Sequence, residues 1–416
     1  MSAVTTTPTL SPQPPEDQAR PPSGPTHPSV RDRLSRGLGE NGIYIAFVAI
    51  VALVAVATDG LLLSPANLTN LVLQYSYIFI LSIGMLIVII AGHIDLSVGS
   101  VVALSGAVSG VLVIREGMPW WVGALAGVGV GVLAGAWHGL WVTVVKLPAW
   151  VVTLAGMLLW RGATFLVLDN ISLSPFGEPF TLIASGFQHG LLGGGGTDVF
   201  TLLIFAFAVV AFAVSQRRTR RAQVAYQQAV EPMPVLVVKV LLVGAVVMWF
   251  AFQLAQSRGL PNILIILAVV VLAYAAVMRN SVFGRNVYAI GGNLHAASLS
   301  GVKVPKVNFW VMTNMGMLAG LAGVVFSSRG NSAQPMAGNA FELDAIAACF
   351  IGGAAAAGGA GTVGGVMVGG LIMAVLSNGM QLLGMDQSVQ QIVKGAVLLA
   401  AVAFDIYGRK RAAKRH

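Results

Sequence analysis

Twelve apolar segments of membrane-spanning length run through this chain, and they constrain its fold more than any other feature. A helix needs roughly 20 apolar residues to cross the hydrocarbon core of a bilayer, and each segment comes close to that length. The segments lie near residues 43–59, 69–91, 97–114, 120–145, 149–168, 198–215, 234–255, 260–278, 307–327, 342–358, 361–383 and 388–407. We therefore predict an all-α, polytopic integral membrane protein with about 10 to 12 transmembrane helices.

Composition excludes a water-soluble fold and most enzyme classes. Apolar residues make up 56% of the 416 residues and charged residues 9%, against about 45–50% and about 25% in soluble domains. The chain contains no Gly-Lys dipeptide, so it cannot build the loop that cradles nucleotide phosphates. Any ATP must therefore be hydrolysed by a partner. We expect no catalytic, cofactor-binding or metal-binding residues, and the single cysteine, Cys349, rules out an internal disulfide.

The basic residues follow the positive-inside bias, so the net charge of +9 does not indicate nucleic-acid binding. They precede the first segment, follow the sixth and the eighth, and end the chain. The four groups are Arg31, Arg33 and Arg36; Arg217, Arg218, Arg220 and Arg221; Arg279, Arg285, Lys303 and Lys306; and Arg409, Lys410, Arg411, Lys414 and Arg415. With an even number of spans, this distribution predicts that both termini are cytoplasmic.

The chain divides into three regions by composition. Residues 1–40 are rich in Pro, Ser and Thr, and we predict a disordered cytoplasmic tail there. Residues 41–408 form the transmembrane domain, with a hydrophilic cytoplasmic insert at 216–232 and a longer cytoplasmic loop at 279–306. Residues 409–416 form a basic cytoplasmic C-terminal tail.

Glycine is abundant, with 50 residues, although it costs about 1 kcal/mol relative to Ala inside a helix. Glycines four residues apart let helix backbones approach closely in lipid, and we predict that role for three sets. The sets are Gly127, Gly131 and Gly135; Gly316 and Gly320; and Gly361, Gly365 and Gly369.

Residues 94–108 weakly resemble residues 359–373, which indicates an internal repeat. Two glycine-broken segments, near Asp95 and within 352–370, are alternatively re-entrant half-helices, which would leave ten true spans.

Charged groups at membrane depth are costly unless they are paired or face water. Near segment ends, long side chains reach the lipid headgroups, and we interpret Lys239, Lys394 and Asp405 in this way. Two tighter groups are candidates for a functional role or for helix capping. They are Asp95, Ser97 and Gly99 in the first group, and Glu342 and Asp344 in the second.

Asp95 or Ser97 is expected to cap the third segment, and an alternative is that the Asp95 charge pairs with Arg161. Glu342 and Asp344 suit the first turn of a helix, where the helix dipole favours acids. The residues alone do not decide between capping and a gate.

The loop 279–306 contains a short helix of small residues, which we predict over His295–Gly301 with Gly301 as its stop signal. Small side chains allow close docking into a cleft of another protein. On residue pattern alone, an ordinary basic loop remains an alternative.

Several motifs closely resemble the permeases of bacterial ABC importers for monosaccharides. They are AGHIDLSVGS at 91–100, LPAWVVTLAGMLLWRG at 147–162, GRNVYAIGGNLHAASLSGVKV at 284–304, ELDAIAACFIGGAAAAGGAGTVGG at 342–365 and QIVKGAVLLAAVAFDIY at 391–407. The resemblance covers nearly everything after residue 40. It is greatest to the xylose and multiple-monosaccharide permeases, which share the insert near residues 216–231.

This resemblance implies a multi-pass plasma-membrane permease of xylose or a related sugar. It implies a second permease copy, cytoplasmic ATPase subunits that bind ATP and Mg, and an extracytoplasmic sugar-binding protein. The loop 279–306 then resembles the element that couples a permease to its ATPase. Its candidate residues are Gly291, Gly292, Asn293, Ala296, Ala297, Ser300 and Gly301. We expect Ala296 and Ala297 to pack into the ATPase.

Other functions remain open from the residues alone. An ion-coupled secondary transporter would also use an intramembrane acid such as Asp95. A channel is less favoured because no filter-like motif is present, and a membrane enzyme because no catalytic or metal-ligand spacing occurs. Branched-chain amino acids are an alternative substrate class, since their ABC permeases share the wider superfamily.

Overall fold

The computed structural model describes residues 30–193, 195–228, 230 and 232–413, and it describes side chains within residues 42–403 of these ranges. Residues 1–29 and 414–416, which belong to the two predicted tails, lie outside the described residues, as does the side chain of Asp405. All contacts given below lie within the unit that begins at Ile43.

The described chain is almost entirely helical, as predicted. Two short strands, β1 (Phe187–Gln188) and β2 (Leu260–Pro261), pair antiparallel with Phe187 opposite Pro261. The helices are α1 (Val30–Ala57), α2 (Pro65–Ile90), α3 (Val98–Gly110), α4 (Trp120–Thr143), α5 (Ala149–Leu168), α6 (Glu178–Ser185), α7 (Val199–Ala225), α8 (Met233–Ser257), α9 (Asn262–Asn280), α10 (Val282–Gly292), α11 (Leu294–Leu299), α12 (Val304–Gly330), α13 (Phe341–Ile351), α14 (Val363–Leu382) and α15 (Gln387–Ala413). A 3₁₀ turn (Leu61–Leu63) precedes α2, and a π-helical turn (Val111–Arg115) extends α3.

Eleven of the twelve predicted segments coincide with an apolar helix. Among the described residues, nine of these helices are both long enough and apolar enough to cross a membrane, and the described apolar parts of α1 and α15 are shorter. The predicted span at 342–358 is wrong. Its helix, α13, has only 11 residues, and at 1.5 Å per residue it is about 16 Å long, roughly half the thickness of the hydrocarbon core. The helix has the length of the predicted half-helix, but it is not re-entrant: Phe341 at its start stacks on Tyr77 in the first half of α2, whereas the link after it meets Ile90 at the end of α2.

Two boundaries also differ from the prediction. The helix α1 begins at Val30, so the end of the predicted N-terminal tail is helical. The predicted insert at 216–232 is not a separate loop throughout, because α7 continues to Ala225 before the chain turns into α8.

Glycine-mediated packing joins α4 to α12, as the four-residue spacing predicts. A Cβ atom placed on Gly131 would collide with the carbonyl oxygen of Gly316, and one on Gly135 would lie 2.5 Å from the carbonyl oxygen of Met312. Gly320 faces the backbone of Val128 in the same contact. The two backbones therefore touch directly, which no side chain larger than hydrogen would allow at these positions.

The third glycine set is only partly helical. Gly365 and Gly369 lie on α14 and pack against the backbone of Gly352 and Ala348 at the end of α13. Gly361 lies outside any helix, in the irregular link 352–362, so its predicted packing role on a helix is wrong. This link separates the half-length α13 from α14.

The weak resemblance between residues 94–108 and 359–373 has a counterpart in local structure. In both segments the first four residues are non-helical and a helix begins at the fifth, at Val98 for α3 and at Val363 for α14. The residues just before the two non-helical leads also meet, because a Cβ atom on Gly358 would lie 3.2 Å from Cα of Gly92. We describe this meeting point below because it also receives α10.

Candidate functional site

The carboxylate of Asp95 lies at the start of α3. The residue is buried in the link between α2 and α3, and its Oδ1 accepts hydrogen bonds from the Ser97 amide at 2.8 Å and from the Ser97 hydroxyl at 2.6 Å. Ser97 is the N-cap residue of α3, but its side chain makes no capping hydrogen bond to the helix, so the expected side-chain cap is absent. An acid beside this end of the helix interacts favourably with the positive end of the helix dipole. Asp95 and Ser97 are therefore bonded to each other at the N-terminus of α3.

The alternative pairing of Asp95 with Arg161 is not present. The Arg161 guanidinium donates instead to the carbonyl oxygens of Pro335 at 2.9 Å and Ala337 at 2.6 Å. These hydrogen bonds hold α5 against the link between α12 and α13. The acid that interacts electrostatically with the Arg161 guanidinium is Glu342 rather than Asp95.

Gly99 brings the two predicted acidic groups together. A Cβ atom on Gly99 would collide with the carbonyl oxygen of Gly338 and would lie 2.6 Å from Oε2 of Glu342. Glu342 and Asp344 both lie in the first turn of α13, as predicted. The start of α3 thus packs directly against the start of α13. Sequence reasoning missed Gly338, which is one glycine among many and shows no spacing signal.

Asp344 is paired with Lys394 across 50 positions of sequence. The Lys394 ammonium lies 3.0 Å from a carboxylate oxygen of Asp344, and the Asp344 side chain is 6% exposed. Lys394 therefore does not reach toward lipid headgroups, as we had interpreted it. The pair ties α13 to α15, and each charge compensates the other at membrane depth.

This ion pair faces a cavity of about 770 Å³ lined by α2, α12, α13, α14, α15 and the link 334–340. Its polar lining consists mainly of uncharged amides and hydroxyls. These residues are Gln74, Tyr75, Tyr77, Gln334, Asn339, Ser377, Gln381, Gln387, Gln390 and Gln391. Among the described lining residues, the charged ones are Asp344 and Lys394. Asp344 lines this cavity, whereas Asp95, Ser97, Gly99 and Glu342 do not.

Sequence reasoning missed the cavity, although part of its signal was present. Gln387, Gln390, Gln391 and Lys394 recur at three- and four-residue intervals, which places them on one face of α15. Glutamines inside an apolar helix need water or a partner. The partners that complete the cavity come from α2 and α14, where Gln74 donates to the Gln381 side chain at 2.9 Å. The sequence pattern of α15 alone does not show this pairing between α2 and α14.

The predicted short helix is present in the loop 279–306 as α11. The Asn293 side chain caps its N-terminus by accepting from the Ala296 amide at 2.9 Å. Gly301, at φ +84°, ends it, because the Val302 amide donates to the Ala297 carbonyl at 3.1 Å and the Gly301 amide donates to the Ser298 carbonyl at 3.1 Å. A left-handed glycine with these two bonds is a Schellman stop.

The residues exposed on the outward face of α11 are not all the ones that we expected. Ala297 is only 5% exposed and packs into the core of this chain, so it cannot also pack into a partner. Ala296 and Ser300 are exposed, as are Leu294 at 55% and Leu299 at 76%. A six-residue helix has two faces, and residue size alone did not show which of them turns inward.

Gly291 and Gly292 lie at a backbone contact that we call the glycine junction, formed by Ile90, Gly291, Gly292, Gly358 and Gly359. A Cβ atom on Gly291 would collide with the carbonyl oxygen of Ile90, and one on Gly359 would lie 2.8 Å from Cα of Gly292. The Gly359 amide donates to the Ile90 carbonyl at 2.9 Å. The end of α10, the end of α2 and the link 352–362 therefore meet without intervening side chains.

A side-chain bond reinforces the glycine junction. The Tyr288 hydroxyl on α10 donates to the Gly361 carbonyl at 2.7 Å, and burial raises the pKa of this tyrosine. The loop 279–306 is thus fixed to the end of α2 and to the link that leads into α14.

These features define a class of protein, a multi-pass helical membrane protein, and the relatives make it a transport permease of the bacterial plasma membrane rather than an enzyme. The chain belongs to the permease family described as "Branched-chain amino acid transport system / permease component", whose model matches residues 67–221 and 223–402. The resemblance to monosaccharide-importer permeases is confirmed by the individual relatives.

Two relatives are xylose transport system permease proteins. The one from Haemophilus influenzae is 38% identical over 372 residues, which cover 89% of this chain and 97% of the relative. The one from Escherichia coli K12 is 37% identical over 371 residues, covering 88% of this chain and 92% of the relative. The ribose import permease protein of Bacillus subtilis is 32% identical over 373 residues, covering 89% of this chain and 93% of the relative.

No solved structure matches the fold significantly. Among the described residues, no group of three or more His, Cys, Asp or Glu side chains is arranged to hold a metal ion.

Proposed function

We propose that this chain is the permease subunit of an ATP-binding-cassette importer that translocates xylose or a related monosaccharide. An extracytoplasmic binding protein delivers the sugar, and separate cytoplasmic subunits bind and hydrolyse ATP with Mg. The permease acts as a pair, most simply two copies of this chain. Both termini and the loop 279–306 lie in the cytoplasm.

The observation that carries this proposal is the exposed surface of α11, defined by Leu294, Ala296 and Leu299, on a helix fixed to the glycine junction. Leu294 and Leu299 expose apolar surface on a helix that also carries the small, exposed Ala296, and apolar surface of this kind can receive a protein partner. A helix with small and apolar outer residues fits a groove of another protein. We assign this groove to the ATPase, since closure of the ATPase pair could then move α10 and the links joined to it.

The identity of the sugar is supported by the names of the relatives, two of which are xylose permeases and one a ribose permease. In this class of importer the binding protein supplies most of the affinity. We therefore propose a neutral monosaccharide as the substrate class and xylose as the first candidate. ATPase stimulation of the reconstituted complex by a panel of sugars, each with its binding protein, tests this choice.

The coupling surface is tested by Leu299→Asp with Leu192→Asp as the matched control. Leu299 is 76% exposed on α11, and Leu192 is 59% exposed in the loop between β1 and α7. We expect Leu299→Asp to abolish copurification of the ATPase and to reduce sugar uptake at least about tenfold, because a charge would enter an apolar groove. Leu192→Asp should retain both.

The amount of permease in the membrane is measured for each variant. Normal ATPase copurification by Leu299→Asp would contradict the assignment of α11. Uptake that persists when the ATPase is inactivated, and that collapses with the proton gradient, would instead support an ion-coupled secondary transporter.

A further inference from the structure

The cavity lined by α2, α12, α13, α14, α15 and the link 334–340 has the size and composition of a small-molecule site. Its volume of about 770 Å³ lies within the range of about 300 to 1,000 Å³ that is typical of ligand sites. It lies beside the first half of α2, near Gln74 and Tyr77, whereas the glycine junction lies at the other end of this helix, at Ile90. The two places are separated by about 24 Å along the helix, at 1.5 Å per residue.

The charges of the cavity compensate each other. Asp344 and Lys394 are hydrogen-bonded at 3.0 Å, and the other polar residues of the lining are amides and hydroxyls. A site for an anionic or cationic ligand would present an uncompensated opposite charge. A site without net charge that is rich in amide donors and acceptors matches a neutral ligand with several hydroxyl groups.

Two residues of the cavity lining carry buried hydroxyls that have no hydrogen-bond partner among the described residues. They belong to Tyr75, which is 3% exposed, and Ser377, which is 1% exposed. Buried polar atoms in proteins are almost always hydrogen-bonded, and exceptions call for a ligand or a water molecule. Both residues line the same cavity, one from α2 and the other from α14.

An aromatic wall completes the cavity. The Tyr77 ring stacks on Phe341 at a centroid distance of 3.8 Å, and Phe326 meets both rings edge-on, at 5.7 Å and 5.1 Å. An apolar wall beside a few placed polar groups is the usual composition of a site that orients a small ligand. One face of a sugar ring is apolar and its rim carries hydroxyls, so both parts of the ligand find a complement here.

We propose that this cavity is a transient monosaccharide site within the permease itself, in which Tyr75, Ser377 and the Asp344–Lys394 pair contact the sugar after the binding protein releases it. This inference rests on the proposed function. It adds that the permease contributes to sugar selection. It also predicts that the site opens toward the extracytoplasmic side, because the loop 279–306 lies at the opposite end of α2.

The test uses the full importer with its binding protein and ATPase, and compares Ser377→Ala and Tyr75→Phe with the control Ser105→Ala. Ser105 is a suitable control because it is also buried with an unpartnered hydroxyl, but it lies on α3 away from the cavity. At saturating xylose, Ser377→Ala and Tyr75→Phe should each lower the maximal uptake per permease about fivefold, as expected for one lost hydrogen bond. Ser105→Ala should match the parent chain.

A second measurement does not depend on the amount of folded permease. The relative uptake of xylose, ribose and glucose, each with its binding protein, should change in the double variant Tyr75→Phe, Ser377→Ala. The half-saturating concentration should remain unchanged, since the binding protein sets it. Unchanged ratios and unchanged maximal uptake in the double variant would overturn the site, as would an equal loss in Ser105→Ala. Failure of the proposed function is distinguishable, because the parent chain would then show no ATPase-dependent sugar uptake.

Discussion

The most apolar stretches of the helices α2 and α7 have almost the same mean hydropathy, but one is buried within the protein and the other is exposed. In the most apolar stretch of α2, 94% of the residues are buried within the protein, against 6% in α7. The neighbour of α7, α8, is the most apolar of the candidate spans and only 17% of its stretch is buried. Hydropathy therefore identifies helices that enter the membrane and does not identify those that form its protein core.

The difference follows from the solvent. In water, apolar side chains are driven toward the core, but lipid is as apolar as leucine and leaves helix association to packing and polar contacts. The central helix α2 contacts α8, α9, α12, α13 and α14, and it carries Gln74, Ser82 and Gly84 on contacting faces. The pair α7 and α8 contact each other through Phe205 and Phe250, whose ring centroids lie 6.0 Å apart. Most of their remaining surface is exposed.

The largest expected difference between the two regions concerns glycine. Gly316→Val on α12 would place side-chain atoms inside the backbone of Gly131 and Gly135. We expect a loss of about 3 kcal/mol or more, or no folded protein, since overpacking against backbone cannot relax. An added Cβ atom at Gly244 on α8 would lie 3.1 Å from a Val209 methyl group, which is part of a side chain that can shift, and Gly244→Val should cost less than about 1 kcal/mol.

The measurement is the yield and thermal midpoint of the detergent-solubilised permease, followed by size-exclusion chromatography. Equal stability of the two variants would break the comparison, because it would mean that the α4–α12 contact does not hold the core together.

A smaller difference is expected for leucine truncation. Leu86 on α2 is fully buried, whereas Leu203 on α7 is 53% exposed. Leu86→Ala leaves a cavity among protein side chains and should cost about 2 to 5 kcal/mol. Leu203→Ala should stay within about 0.5 kcal/mol, because lipid chains fill the space that the side chain leaves. The same thermal assay applies, and a large effect of Leu203→Ala would show that α7 has a protein partner on this face.

The smallest difference concerns the caps that start the two helices. Asp198 caps α7 by accepting from the Thr201 amide at 3.0 Å, and it also accepts from the Gly190 amide at 3.0 Å. Ser64 caps α2 through one long bond of 3.4 Å from the Asn67 amide. We expect Asp198→Ala to cost about 1 to 2 kcal/mol and Ser64→Ala less than about 1 kcal/mol.

The cap at Asp198 has a defined pH dependence. Burial alone would raise the pKa of Asp198, but the hydrogen bonds from Thr201 and Gly190 outweigh it and lower the pKa. A lowered folded-state pKa gives stability that is present above the unfolded value of about 3.9 and is lost as the pH falls through the folded value. The thermal midpoint difference between the parent chain and Asp198→Ala should therefore be constant from pH 5 to pH 8. A difference that grows between these values would contradict a charged cap.

Much of the candidate site was predictable where the signal was local. The short helix α11 follows from Asn293 and Gly301, since caps are set by neighbouring residues. Its inward face was not predictable, because the packing of Ala297 depends on how α10 sits on α2 and the link 352–362. Asp344 was identified as a candidate, whereas its partner Lys394 was misread because the two are 50 residues apart.

The half-length α13 shows the same limit. The apolar run 342–358 has the composition of a span, and its helix stops at Ile351 because Gly352 packs against the backbone of Gly365 and Gly353 takes a left-handed conformation. Composition is an average over the whole segment, so it does not show at which residue the helical conformation of the backbone ends. The two glycines mark that place only after their contacts are known.

The class of protein, the order of its membrane helices and most of their ends follow from the amino-acid sequence, because insertion into lipid and helix capping depend on residues close together in the chain. The packing of the helices was needed to show that α2 is the core, that Asp344 and Lys394 compensate each other, and that amides from three helices line one cavity. Lipid gives apolar faces no preference for protein over membrane. The choice is then made by backbone contacts at glycine and by polar groups that must find partners across the fold.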